Sequence, residues 1–319
     1  MAGSDQPSPA ERMLLDGASA GFVVVLIGAA CAYPGTVPEW KETAAGLTLA
    51  GGAYLLGSLV ARRFARGFAS IAISTASVLL LFSYLFQTIA GFQHILVPGW
   101  MDSRLISWES ALTGTEASVL MQKITTPALT EWMMFAYVFY VPLLPGVAFL
   151  CYAESGSKGA HDYLIAIVLA NVICYCGFIL FPVAGPLFHD ASRYTVPLGG
   201  GVFAWCGEWM RSNVHYPGGS LPSPHCAVGT VMMVMLYRHN RKAFAILLAP
   251  LVTIYAATMY GRYHYAWDVI AGIGAACIAL KAAPALAGLF AQPARTLSGT
   301  YTIRHTPETA ATRLQEERP

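Results

Sequence analysis

Residues 162–182 read DYLIAIVLANVICYCGFILFP, a run of 21 residues with no charge after Asp162. As a helix the run rises about 31 Å, which matches a hydrocarbon core about 30 Å thick. Apolar runs of similar length occur at about 17–36, 43–61, 67–92, 131–153, 242–260 and 265–286, and a shorter one from His225 to about Leu236. The composition agrees, with 56% hydrophobic and 11% charged residues in a chain of 319. Soluble domains carry about 25% charged residues and could not hide so much apolar surface. The expected fold is all-α, a polytopic membrane bundle of about eight transmembrane helices.

Basic residues set the expected orientation. Arg62, Arg63 and Arg66 follow the second run, Lys158 the fourth, and Arg238, Arg241 and Lys242 the short one. With alternating helices all of these fall on one side, which the positive-inside rule makes cytoplasmic. Both termini then lie on that side, and Arg295, Arg304, Arg313 and Arg318 agree. The Arg238–Lys242 cluster needs no other role than topology anchor. Asp5, Glu11 and Asp16 occupy the N-terminus instead of a basic segment, so no cleavable signal peptide is expected. Spans without further targeting signals fit a bacterial plasma membrane.

Net charge is +2, which points to no nucleic-acid partner. The seven cysteines follow no metal-ligand spacing. Cys174 and Cys176 sit in an apolar run as small hydrophobes. Cys206 and Cys226 share a predicted face, and their spacing leaves a disulfide open. Residues 93–130 are too polar to span. Trp100, Ile106, Trp108, Leu112, Leu120 and Met121 suggest amphipathic segments at the membrane interface. The tail from about Gln292 reads as disordered.

Two polar segments interrupt the apolar sequence near its end: Ser220-Leu221-Pro222-Ser223-Pro224-His225, and Arg262-Tyr263-His264-Tyr265-Ala266-Trp267-Asp268. In the second, His264 and Asp268 are four residues apart and share a helix face. A carboxylate on one ring nitrogen fixes the tautomer and frees the other nitrogen as nucleophile or base. In the first, Ser223-Pro224 reads as N-cap and first helical position, so His225 falls where backbone N–H groups attract phosphate. Polar groups at membrane depth are costly and usually functional. Alternation puts His225, His264 and Asp268 on the extracytoplasmic side, and the chemistry suggested is phosphoryl transfer on a lipid. The helix from His225 to Arg238 spans about 21 Å, short of the hydrocarbon core, so its start is expected below the membrane surface.

These two segments, with Phe181-Pro182-Val183-Ala184-Gly185-Pro186 before them, resemble the three signature blocks of the type 2 phosphatidic acid phosphatase superfamily. The resemblance covers about residues 95–285. It is closer to the inositolphosphotransferase branch, which includes inositol phosphorylceramide synthases. Asp102-Ser103-Arg104-Leu105, Leu112-Thr113-Gly114 and Pro127-Ala128-Leu129-Thr130-Glu131 also look like that branch.

The resemblance implies a six-helix lipid-phosphatase-like core. It makes His264 the nucleophile, Asp268 its orienting carboxylate and His225 the general acid, through a phosphohistidine intermediate with no metal or other cofactor. The domains implied are 1–66, a cytoplasmic segment with two extra transmembrane helices; 67–290, the catalytic membrane core; and 291–319, a cytoplasmic tail.

The chain departs from the superfamily in several places. The first block lacks its lysine and arginine, with Leu187 where related sequences often have a basic residue. Ala257 and Thr258 replace a Ser-Arg ahead of His264, and Pro224 replaces a glycine. Arg262 is the nearest replacement phosphate contact, since a guanidinium pairs bidentately with phosphate oxygens. Ser223 either caps its helix, contacts phosphate, or does both. His189, Asp190, Arg193 and His215 share the extracytoplasmic loop, where any could line a headgroup or acceptor pocket but solvated loop residues are the default, and His94 is interfacial. Ala271-Gly272-Ile273-Gly274-Ala275-Ala276 reads as a close-packing surface, and Pro142 and Pro145 as a kink.

The function expected is transfer of a phosphorylated, inositol phosphate-like headgroup to a lipid alcohol. The alternatives are hydrolysis of phosphatidate-like or isoprenoid phosphates, and non-catalytic lipid binding or transport. Membrane lipids are the expected substrates, with no obligate protein partner.

Overall fold

The computed structural model describes residues 7–291, and among them it holds helices and connecting loops but no strand. The tail from about Gln292 lies outside the described residues. The helices are α1 (Pro9–Ala32), α2 (Trp40–Arg63), α3 (Gly67–Thr88), α4 (Asp102–Thr113), α5 (Ala117–Leu120), α6 (Pro127–Leu180), α7 (Pro186–His189), α8 (Val202–Asn213), α9 (Pro224–His239), α10 (Arg241–Tyr260) and α11 (Ala266–Ala291). Among the described residues, six helices are long and apolar enough to cross a membrane: α1, α2, α3 with its extension to Phe92, α6, α10 and α11. The chain is an all-α polytopic membrane bundle.

Helix α6 counts twice. Its 54 residues are broken by non-helical backbone at Ser155 and Gly156. The two arms fold back on each other, and Tyr163 Oη on the second donates to Leu144 O on the first at 3.0 Å. Helix α9, 16 residues long, completes the eight expected segments. The backbone stays helical through Pro142 and Pro145, where a kink was expected, and the reversal at Ser155–Gly156 falls between the expected runs 131–153 and 162–182.

Local sequence accounts for the boundaries. Ser8 and Glu11 form a capping box at the start of α1. Thr126 caps α6 and Ser223 caps α9, each with proline at the first helical position. Asn240 Oδ1 accepts the Ala243 N–H at 2.9 Å, which starts α10 directly after α9.

Helix α9 is the core of the bundle and packs against α6, α10 and α11. Ala227, Val228, Val231, Met232 and Leu236 are fully buried along it. Gly272 lets α11 approach the start of α9, as the small-residue run led us to expect. A Cβ there would lie 2.5 Å from Ser223 O and 3.1 Å from Cys226 Cβ. Gly274, two residues on, has nothing within 4 Å of such an atom. Gly272→Ala is therefore expected to lower stability by about 1–3 kcal/mol, and Gly274→Ala to be neutral or slightly stabilising. Unfolding midpoints of the two variants in one detergent check this.

Segment 93–126 lies over one end of the bundle. Helix α4 exposes Trp108 and Leu112, as expected of an interfacial helix, but its inner face buries Asp102, Leu105 and Glu109. Cys206 and Cys226 are free cysteines, so the disulfide left open by their spacing is not formed.

Candidate functional site

The three motif blocks meet at one end of the bundle. The 181–186 block follows α6, the 220–225 block leads into α9, and the 262–268 block joins α10 to α11. They are held together largely through backbone. Ser223 N donates to Asp268 O at 3.0 Å, and Leu187 N to Arg262 O at 3.2 Å. Gly185 adopts φ 94°, and a Cβ there would lie 3.0 Å from Tyr263 O, so the first block needs glycine to reach the third.

His264 and Asp268 form a pair, but not along one helix face as expected: His264 lies in the loop before α11, and Asp268 in the first turn of that helix. Both are buried, and His264 Nδ1 lies 3.3 Å from Asp268 Oδ2. The same oxygen accepts Ser220 Oγ at 2.8 Å and the Tyr265 N–H at 2.9 Å. Ser220 Oγ also lies 3.3 Å from His264 Nδ1. With Nδ1 facing the carboxylate, Nε2 is the nitrogen left for chemistry. His225, at the start of α9, packs edge-on to His264 with ring centroids 6.2 Å apart. Its buried Nδ1 has no hydrogen-bond partner among the described residues. Tyr137 stacks on His225 at 4.6 Å and Tyr140 tilts against it at 4.7 Å, which fixes the imidazole plane.

Two cavities meet at these rings. A cleft of about 20 Å³ lies between His225, His264, Tyr263, Phe188 and Gly218. A cavity of about 620 Å³ opens beside it, walled by Phe82, Phe86, Val141, Tyr175, Trp205 and Trp209. His225, His215, Phe86 and Pro224 line both. Apolar volume of that size suits lipid chains.

Arg262 and Ser223 are placed differently. Arg262 lines a neighbouring cavity of about 380 Å³, together with Arg211, Glu208 and Leu187. Its guanidinium donates to Val196 O and lies 4.7 Å over the Tyr194 ring, and burial lowers its pKa. Tyr263 lines this cavity and the histidine cleft alike. Ser223 is fully buried, and its Oγ accepts the Cys226 N–H as an N-cap. His189, Asp190 and Arg193 do not line the histidine cleft. Arg193 instead pairs with the buried Glu116. Among the described residues no three His, Cys, Asp or Glu side chains are grouped to hold a metal ion.

Three residues matter more than their sequence context suggests. Asp102 is fully buried and takes Ala184 N–H at 2.8 Å, Gly185 N–H at 3.0 Å and Tyr265 Oη at 3.0 Å, joining the first block to the third. Glu109, one face-repeat further along α4, accepts the N–H groups of Ala117 (2.9 Å) and Ala266. Burial holds its carboxyl above the usual range. The signal for both was the i, i+7 spacing of two carboxylates on an otherwise amphipathic helix.

The third residue is His215, stacked on Tyr263 at 4.6 Å. Its Nδ1 faces Met210 O at 3.1 Å and its Nε2 faces Tyr137 Oη at 2.7 Å. A carbonyl only accepts, so Nδ1 carries the hydrogen and the ring is satisfied while neutral. Burial pushes its pKa down from 6.5 to about 4. The folded chain then binds fewer protons than the unfolded one between those values, so His215 costs stability as pH falls from about 6.5 to about 4. Thermal unfolding across that range should show a steeper acid loss in the wild type than in His215→Gln.

A family model for the PAP2 superfamily matches residues 103–282, which is more than half of the chain and includes all three blocks. The chain belongs to the PAP2 superfamily. Searches of curated proteins and of solved structures found no match. Membership points to an enzyme with phosphatase- or phosphotransferase-like activity on lipids.

Proposed function

We propose that the chain is a membrane-embedded phosphotransferase that moves a phosphorylated headgroup, inositol phosphate-like in kind, from a lipid donor to a lipid alcohol. The observation that carries this reading is the placement of His225 and His264 in a small cleft that meets a large apolar cavity. His264 Nε2 attacks phosphorus and the phosphorus–oxygen bond to the donor's lipid alcohol breaks. His225 supplies the proton that the departing oxygen takes. The acceptor alcohol then returns a proton to His225, attacks phosphorus and releases His264. Asp268 stabilises the imidazolium through Nδ1, with Ser220 and the Tyr265 N–H holding the carboxylate in place. The scheme uses no metal.

The charge of the cleft favours a diester. Its lining residues include no guanidinium or ammonium. A phosphomonoester dianion needs more compensation than a diester's single charge. Arg262, with Arg211, meets the polar part of the donor from the adjoining cavity, and Ser223 acts by setting the first turn beneath His225.

Residues 67–290 form the catalytic core and 1–66 an addition to it. The active site faces the extracytoplasmic side of a bacterial plasma membrane, with both termini cytoplasmic and α9 starting below the surface. Support comes from the basic residues at the other end of the bundle, where Lys158 bonds Glu11 at 2.7 Å and Arg238 lies nearby.

Purified protein incubated with phosphatidylinositol and ceramide or diacylglycerol, and separately with lipid phosphomonoesters, tests this. Headgroup transfer to the acceptor is expected. Phosphate release from monoesters without transfer would replace the reading with hydrolysis.

A further inference from the structure

The end of the bundle away from the histidines holds another cavity, of about 320 Å³, among α1, α2, α3 and the reversal in α6. Helix α3 connects the two ends. Phe86 lines the histidine cleft, while Gly67 and Ser70 line this cavity. At about 1.5 Å per residue the separation is on the order of 30 Å.

Its lining is strongly basic. Arg12, Arg62 and Arg66 come from three different segments, and among the described lining residues Asp16 is the one carboxylate. Asp16 is already engaged: it accepts Tyr54 Oη at 3.0 Å, Ser58 Oγ at 2.8 Å and Arg62 at 2.9 Å. Arg12 and Arg66 form no ion pair with any described residue. Among the described residues, no carboxylate pairs with either of these two guanidinium groups.

Neutral donors lie beside them. The hydroxyls of Ser70 and Ser77 return to backbone carbonyls at 2.9 and 2.8 Å. Those of Ser74 and Ser157 also line the cavity, and neither donates to a described group. His161, buried in the wall, has Nδ1 2.9 Å from Ser157 O, so Nδ1 carries the hydrogen and Nε2 stays an acceptor.

A topology anchor needs only to reach interfacial water, and Arg63, which does not line the cavity, fits that role. Arg12, half-buried, and Arg66, exposed, line one cavity beside open hydroxyls, which is the donor set of a phosphate site. We propose that this cavity binds a phosphomonoester group, carried by an anionic lipid headgroup or by a soluble phosphate ester, at a site separate from the histidines. Two guanidinium groups match the charge of a phosphomonoester dianion, and Nε2 of His161 can accept from its protonated form.

The test uses the full chain in phosphatidylcholine nanodiscs. One arm titrates inorganic phosphate and glycerol phosphate. The other adds phosphatidic acid to the nanodisc and follows its retention by native mass spectrometry. Binding at the histidines contributes equally to every variant, so differences report this cavity whether or not the proposed reaction is right. Arg12→Gln and Arg66→Gln should each weaken binding about tenfold, and Arg63→Gln should not. Binding in the soluble arm identifies a free ester, and binding in the lipid arm alone identifies a headgroup. No binding in either arm, binding unchanged in the cavity variants, or an equal loss in Arg63→Gln would overturn the proposal. Arg66→Lys, which keeps the charge and loses the planar fork, serves if a glutamine variant fails to fold, and it should weaken binding by the same order.

Discussion

His264→Ala is expected to lower turnover on the order of a thousandfold or more while the bundle still folds. The size follows from the role, because without Nε2 no covalent intermediate forms and the remaining groups only bind and orient. The mild effect on folding follows from the geometry. His264 makes contacts of 3.3 Å to both Asp268 and Ser220, whereas Asp268 keeps its shorter bonds to Ser220 Oγ at 2.8 Å and to Tyr265 N at 2.9 Å. Removing the ring therefore leaves the carboxylate held. Gel filtration and the unfolding midpoint should match the wild type while headgroup transfer is lost. A variant that retained most of its turnover would remove His264 from the chemistry.

Asp102→Ala should act in the opposite proportion, with a large loss of stability and a secondary loss of rate. The Asp102 carboxylate is fully buried, and its removal leaves the N–H groups of Ala184 and Gly185 and the Tyr265 hydroxyl without an acceptor. Each buried group left unsatisfied costs about 1–3 kcal/mol, so a destabilisation of about 3 kcal/mol or more is expected. The same bonds seat the first block against the third. Loosening them by an ångström should lower kcat about a hundredfold. Asp102→Asn keeps the shape but presents an amide where donors point, and it should fall between alanine and the wild type. Unfolding curves and kcat measured on the same preparations separate the two effects.

The membrane bundle was legible because its cause is local. Runs such as 162–182 are apolar along their whole length, and the gap between 131–153 and 162–182 holds the reversal at Ser155–Gly156 that divides α6 in two. The pairing of His264 with Asp268 was legible from their spacing, although His264 lies in the loop before α11 and meets Asp268 in that helix's first turn rather than along one helix face. Ser223 as N-cap of α9 followed from Ser-Pro alone.

What the sequence hid depends on long-range contact. Asp102 reaches Gly185 and Tyr265 across 83 and 163 residues of chain. His215 and Tyr137 meet across 78 residues. Arg262 lies two residues from His264, but its positive φ turns it into a different cavity, and residue spacing carries no sign of φ. The pocket around Arg12 and Arg66 was hidden because basic residues at helix ends read first as topology signals. Their convergence around Ser74 and Ser157 is visible only in three dimensions.

The most direct test of the central claim is to trap the intermediate. The full-length protein would be mixed with donor lipid labelled at phosphorus, quenched within one turnover, and digested for peptide mapping. The account predicts label on the peptide carrying His264, stable to alkali and released by acid as a phosphoramidate is, and absent in His264→Ala. Label on any other residue, or turnover with no protein-bound phosphorus at any quench time, would contradict it.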